Sequence, residues 1–528
     1  MRHPADRMRS MKRIQAACVA AVVTLGVAGS PVGTHERQSA APPLWVDITA
    51  STIGETKYWT NKVEIADLND DGRPDLLFAN GGDYSTPGAP EPNQVFFNRG
   101  PGVPFVEMTE QVLGSTPDLA RVIKARDLNG DNVIDIVVGT TYQTQSRLFV
   151  GAGKGRFTEA TRTHLPQMPL SVGDLETGDV DGDGDIDLVL ADWGPGHNMT
   201  NDGGVTRLWL NDGGGRFSDE TAARMPPITI RFSWDLELAD VDNDGDLDVL
   251  VSCKRCPGSS LFRNDGAGRF TDDARALPQY TNNYEFEAMD LDGDGFLDLV
   301  TLNDGEIVKE SSASRREHVF RNDGKGRFRD ATEAWWPPAA NVGEDDNMAA
   351  FLDVDSDGDA DFVVGSLSGP DRLLINDGRG HLQVRLDVFD GAPTPGTLGL
   401  ALADLDGDGR IDVVQGQGEH PTAISERVHG GRGLPPDTAP PSITVMAMTD
   451  AAKPTVRARV HDRKSPSLPF EWKRVAAEWT LPAGPRAVAM RWYGEYLWRA
   501  DWPADVPAGT PYRVCATDAS GNSACATP

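Results

Sequence analysis

The chain has 528 residues with 80 acidic against 50 basic side chains, a formal net charge of −30 that opposes binding to nucleic acid phosphates or anionic lipid and favours cations as partners. Its 39% hydrophobic content fits a folded protein, and its 56 glycines and 37 prolines fit many turns rather than long helices. At this length more than one core is expected, and all-β is the natural class.

In chain order, Arg2, Arg7, Arg9, Lys12 and Arg13 precede an apolar run from Ile14 to Ala28, which ends in small residues near Gly29 and Ser30. This reads as a secretory signal peptide over residues 1–30 followed by a linker over 31–42, and predicts a secreted or cell-surface protein. The run is shorter than the roughly 20 residues a membrane span needs, so no span is expected in the mature chain. Cys18 lies inside the run, which argues against lipoprotein processing. The remaining cysteines, Cys253 and Cys256, then Cys515 and Cys525, predict two local disulfides in an exported chain. The alternative for Cys253 and Cys256 is a redox pair or half a zinc site, but no second such pair and no nearby His accompanies them.

One motif then recurs seven times at spacings of 50 to 63 residues: DLNDDGRPD, DLNGDNVID, DVDGDGDID, DVDNDGDLD, DLDGDGFLD, DVDSDGDAD and DLDGDGRID. An alternating stretch precedes each copy and an apolar run such as Leu76 to Phe78 follows, both reading as strands. A third strand ends in NDG or a relative of it, and a GxGRF turn leads to a fourth. Four strands per repeat describe a propeller blade, so residues 43–434 are expected to form a seven-bladed β-propeller. The seventh repeat stops near Gly430 to Pro436 without its last strand. Leu44 to Thr49 supplies that strand instead, which would close the ring. After a Pro-rich link over 435–441, residues 442–528 alternate without the motif and predict a β-sandwich.

Within each motif, oxygen-bearing side chains stand at positions 1, 3, 5 and 9. The ligands are Asp67, Asn69, Asp71 and Asp75 in the first copy; Asp127, Asn129, Asp131 and Asp135 in the second; Asp179, Asp181, Asp183 and Asp187 in the third; Asp240, Asp242, Asp244 and Asp248 in the fourth; Asp290, Asp292, Asp294 and Asp298 in the fifth; Asp353, Asp355, Asp357 and Asp361 in the sixth; and Asp404, Asp406, Asp408 and Asp412 in the seventh. Calcium takes six to eight hard oxygens, and alternate side chains on a tight loop can converge on one ion, with glycine at position 6 permitting the turn. Up to seven Ca2+ ions, one per blade, are therefore expected. Asn132 replaces that glycine in the second loop and Pro74 enters the first, so occupancy is least secure in those two.

These motifs resemble the FG-GAP and VCBS repeats of integrin α-subunit propellers and many bacterial surface proteins, over residues 43–434. The resemblance implies calcium in the loops. YRVCATDASGNSACA resembles the closing hairpin of immunoglobulin-like or fibronectin-like modules, with Cys515 and Cys525 stapling it.

Loops and GxGRF turns share one face of such a ring. The opposite face carries three long connections, Asn80 to Asn93, Ala191 to Val205 and Asn303 to Glu317, where ligand recognition is expected. The first strands of the third to fifth repeats each carry two acids, Asp174 and Glu176, Asp235 and Glu237, Glu285 and Glu287. These are expected near the channel mouth beside Trp234 and Tyr284, where a cation or cationic ligand could bind; pairing with Lys62, Lys124, Lys254 or Arg255 is the plainer alternative. Trp59, Trp193, Trp335 and Trp336 could stack on sugars or simply pack blades. The leading function is calcium-stabilised adhesion or recognition of an extracellular glycan or protein. The alternative is a polysaccharide lyase or hydrolase using the channel acids, although no GxSxG or HExxH motif occurs.

Overall fold

A computed structural model describes residues 42–528, apart from 84–85, 197–200, 304–315, 392, 394–395, 419–424, 447–453 and 483. The expected signal peptide lies outside the described residues, as do parts of all three long connections.

Each repeat forms an antiparallel four-stranded sheet. In the first, Thr60–Ala66, Asp75–Asn80, Gln94–Phe97 and Val106–Glu107 pair in sequence order. The nine-residue motif fixes the register, because the residue before it always faces its ninth: Ala66 opposes Asp75, Gly178 opposes Asp187 and Ala403 opposes Asp412. Second strands are buried on both sides, and Leu76, Leu77 and Phe78 are all 0% exposed. Continuous apolar runs there reflect sheets stacked face to face rather than one wet surface.

The first strands of the later sheets are Ala120–Arg126, Val172–Gly178, Leu236–Ala239, Asn283–Met289, Asp346–Leu352 and Thr397–Ala403. Each packs on the next and the last packs on Thr60–Ala66, so the sheets form a closed ring around a channel lined by these strands. Closure also uses the early segment. Val46–Asp47 pairs with Arg427–Gly430 as the last strand of the seventh sheet, and Trp45, fully buried, donates its indole N–H to the Ile411 carbonyl at 2.9 Å.

Residues 442–528 form a β-sandwich. One layer holds Ser442–Val445, Thr455–His461, Leu497–Asp501 and Arg491–Gly494, and joins the third repeat's strands in a single nine-stranded sheet; the other holds Gly484–Ala489, Trp472–Leu481, Tyr512–Asp518 and Ser523–Ala526. Val456, Val460, Ala477, Trp479, Trp498 and Val514 share the core between them. Both expected disulfides are present, Cys253–Cys256 in a connection of the fourth sheet and Cys515–Cys525 across the last hairpin. No helix among the described residues is long and apolar enough to cross a membrane.

The sandwich sits on the face carrying the acidic loops. Gly494 pairs with Gly178, and the Asp179 amide donates to the Tyr493 carbonyl at 2.8 Å. Tyr493 and Tyr496 donate their hydroxyls to the carbonyls of Gly245 and Ala288. Ser465 accepts the Phe351 amide through its hydroxyl at 3.0 Å. Sequence alone gave no sign of this docking, which covers part of the face carrying the acidic loops.

Candidate metal centres and the central cavity

The seven acidic loops share one backbone. Positions 4 and 6 take positive φ throughout, as at Asp70 (59°) and Gly72 (80°) in the first loop, or Ser356 (62°) and Gly358 (97°) in the sixth. Asn132 adopts the same conformation at 63°, tolerable for asparagine, so the second loop keeps the geometry despite lacking its glycine. In every loop the first aspartate accepts the N–H of position 6, for example Gly245 onto Asp240 at 3.1 Å.

The ninth aspartate ties three segments together. Its Oδ1 accepts the amide at the end of the third strand, as Asn98 donates to Asp75 at 2.7 Å and Asn322 to Asp298 at 2.8 Å. Its other oxygen accepts the amide of loop position 2, as Leu68 donates to Asp75 at 3.0 Å. The asparagine of NDG then bridges blades. Asn322 Nδ2 donates to Leu297 in its own sheet and to Val241, position 2 of the preceding loop, both at 2.8 Å. Asn98, Asn211, Asn264 and Asn376 reach the preceding loop in the same way. This staple was readable only as a turn signal.

Carboxylate oxygens converge within 4.8 Å of one another in the third to seventh loops, for instance Asp179 with Asp181 and Asp187, or Asp404 with Asp406 and Asp412. Asp181 Oδ1 and Asp242 Oδ1 are buried there without any hydrogen-bond donor. Burial pushes the ninth aspartates up to about 8 at Asp75, Asp187, Asp298 and Asp361, although backbone N–H donors oppose the rise. Orphaned hard oxygens in a cluster that resists ionisation fit a divalent cation with oxygen preference. Guanidinium groups flank the loops: Arg321 lies 2.6 Å from Asp292, Arg432 2.7 Å from Asp408 and Arg499 2.5 Å from Asp179.

The six acids of the third to fifth first strands do converge, but in an internal cavity rather than at an open mouth. Lys62 reaches across the ring to Asp174 and Asp235, each at 3.4 Å. Lys124 meets Glu176 at 2.6 Å, and Arg126 pairs with Glu64. Burial alone would depress the Lys62 ammonium, yet Asp174 and Asp235 hold it above its ordinary value. Glu285 accepts the Ala349 amide at 2.5 Å.

Both ends of this cavity are covered. On the loop side lie Ser465, Pro466, Ser467, Trp492 and Glu495 of the sandwich. On the far side Trp234 and Tyr284, 3% and 2% exposed, pack with Trp193 and Phe232, and the Arg121 guanidinium of the second sheet stacks 3.8 Å above Trp234 of the fourth. Lys254 lies over the Tyr284 ring at 3.5 Å. Arg121 escaped sequence reading because it occupies a β-bulge, which recurs at the same point in six of the seven first strands and is invisible in a simple alternation. Trp193, Trp335 and Trp336 are buried blade packing, whereas Trp59 keeps partial exposure.

Beside the docked sandwich runs a cleft of about 660 Å3. The second and third loops contribute Asp127, Asn132 and Asp185 to it, and the sandwich contributes Phe470, Arg491 and Trp492. Arg126 and Trp492 line both cleft and cavity, with the guanidinium 5.5 Å from the indole centroid.

The family described as FG-GAP-like repeat matches residues 67–138, 127–190, 179–251 and 353–414. Comparison with curated proteins returns no match. Among solved structures, an ancestral GH74 enzyme is similar at 11% identity and a TM-score of 0.42, over 92% of this chain and 60% of that one. The chain thus spans less than two thirds of that enzyme's length.

Proposed function

We propose that this chain, which carries FG-GAP-like repeats, is an exported binding protein whose blades are held by calcium and which recognises an extracellular glycan or protein. The observation that carries recognition over catalysis is the fate of the channel acids. They are buried or half-buried, three of the six are ion-paired, and they lie beneath the sandwich at one end and below the Trp234 and Arg121 stack at the other. A polysaccharide could not reach them without displacing the sandwich.

The loops support calcium, because hard oxygens converge there and two are orphaned in a buried setting. The metal holds the loop that pins strand register, so its role is structural.

For the ligand, the cleft beside the sandwich has suitable size and chemistry. Its volume falls within the roughly 300–1,000 Å3 of small-molecule sites. Phe470, 40% exposed, and Trp492 offer flat apolar faces, while exposed Arg491 can meet an anionic substituent. A glycan array paired with a turnover screen on polysaccharides tests the proposal. Binding without product, weakened about tenfold or more by Phe470→Ala and Arg491→Ala, is expected. Product formation would replace it with the hydrolase reading, and unweakened binding would move recognition out of the cleft.

A further inference from the structure

We infer that the central cavity holds one further divalent, oxygen-seeking cation, bound between Glu237 and Glu287 of the propeller and Glu495 of the sandwich, and clasping the two together. The cavity is lined by eight carboxylates and three basic groups, Lys62, Lys124 and Arg126. Those bases are committed elsewhere: Lys62 to Asp174 and Asp235, Lys124 to Glu176, and Arg126 to Glu64. Among the described residues, Glu237, Glu287 and Glu495 stand in no ion pair with a basic group.

A second observation points to a ligand. Glu237 is only 8% exposed, lines the cavity, and its Oε1 is buried without any hydrogen-bond partner. Leaving such an oxygen unsatisfied is costly, and three carboxylates whose nearest bases are already paired with other acids add to that cost. Burial, then repulsion from Glu495 and Glu287, holds the Glu237 carboxyl well above its ordinary range; burial and repulsion from Glu495 likewise raise Glu287, against an opposing hydrogen bond from Ser465. The cavity volume of about 70 Å3 has room for one ion and a water or two, a water occupying about 30 Å3. Three carboxylates with water suit a hard cation of the calcium and magnesium class, and not zinc or copper, which favour nitrogen and sulfur donors.

Glu495 gives the site its particular role. It belongs to the tight turn between Arg491–Gly494 and Leu497–Asp501, the segment that docks on Gly178. A cation there neutralises the charge that would otherwise push the sandwich off the ring.

Anomalous diffraction from crystals of the full mature chain grown with calcium and then exchanged into manganese or a lanthanide tests this directly. A peak among Glu237, Glu287 and Glu495 is expected; its absence while the repeat loops show peaks overturns this inference alone and leaves the loop assignment standing. Metal content by mass spectrometry gives an independent reading. Glu237→Gln and Glu495→Gln should each hold one ion fewer per chain than wild type. Should Glu237→Gln fail to fold, Glu495→Gln, on a turn of the sandwich rather than a strand of the ring, still decides the matter. Equal content in a folded variant would mean that the carboxyls hold protons instead.

Discussion

Gly494 of the sandwich lies backbone to backbone against Gly178 of the third sheet, and neither tolerates a side chain. A Cβ on Gly494 would come within 2.3 Å of Leu247 Cδ1, and one on Gly178 within 2.5 Å of the same atom; Gly494 also sits at φ 148°. Overpacking of this kind costs about 1–3 kcal/mol. Gly494→Ala should therefore loosen the sandwich, seen as faster proteolytic release of a fragment near residues 435–441 while the propeller stays intact. Unchanged cleavage would show that the contact does not govern docking.

The asparagine staple makes a second expectation. Asn322 is buried, spans two carbonyls of adjacent sheets and accepts the amides of Gly324 and Gly326. Asn322→Ala leaves buried carbonyls unpaired, at about 1–3 kcal/mol each. Urea unfolding should move to a lower midpoint, whereas Asp323→Ala, at an exposed turn position, should change it far less.

Ring closure depends on Trp45. Removing a fully buried indole typically costs about 3–5 kcal/mol, so Trp45→Ala should lower the melting temperature and expose Arg427–Gly430 to hydrogen exchange. Protection of that strand at wild-type level would contradict the closure role.

Acid dependence should invert with calcium. Burial first, with neighbouring carboxylates adding, raises Asp75, Asp187, Asp298 and Asp361 to about 8, against about 3.9 for an unfolded aspartate. Between those values the folded, metal-free chain holds more protons than the unfolded chain, so its stability falls as pH rises. The chelated protein should melt higher at pH 5 than at pH 8, and millimolar calcium should abolish or reverse the trend. A chelated protein that gains stability up to pH 8 would contradict this.

Much of the fold was legible because one motif sets both strand register and turn geometry, and it recurs. The closing strand was legible because the seventh repeat lacked its own, although only Val46–Asp47 of the expected Leu44 to Thr49 pairs as strand and Thr49 begins a short 3-10 turn. The acids of the third to fifth sheets were found by alignment, but their burial was not. Ser465, Trp492 and Glu495, which cover them, lie hundreds of residues away and carry no motif. Likewise Arg121 falls out of register through a bulge, and the NDG asparagine looks like any turn residue until its amide is seen crossing to the next sheet.

The most direct test of calcium-held blades is the melting temperature of the mature protein with calcium and after exhaustive chelation, alongside its calcium content. Ions bound at several sites in the folded state alone should together raise the midpoint on the order of 10 °C or more, reversibly, with several calcium ions per chain. A chelated protein that melts unchanged, and a native one that holds no calcium, would contradict the account.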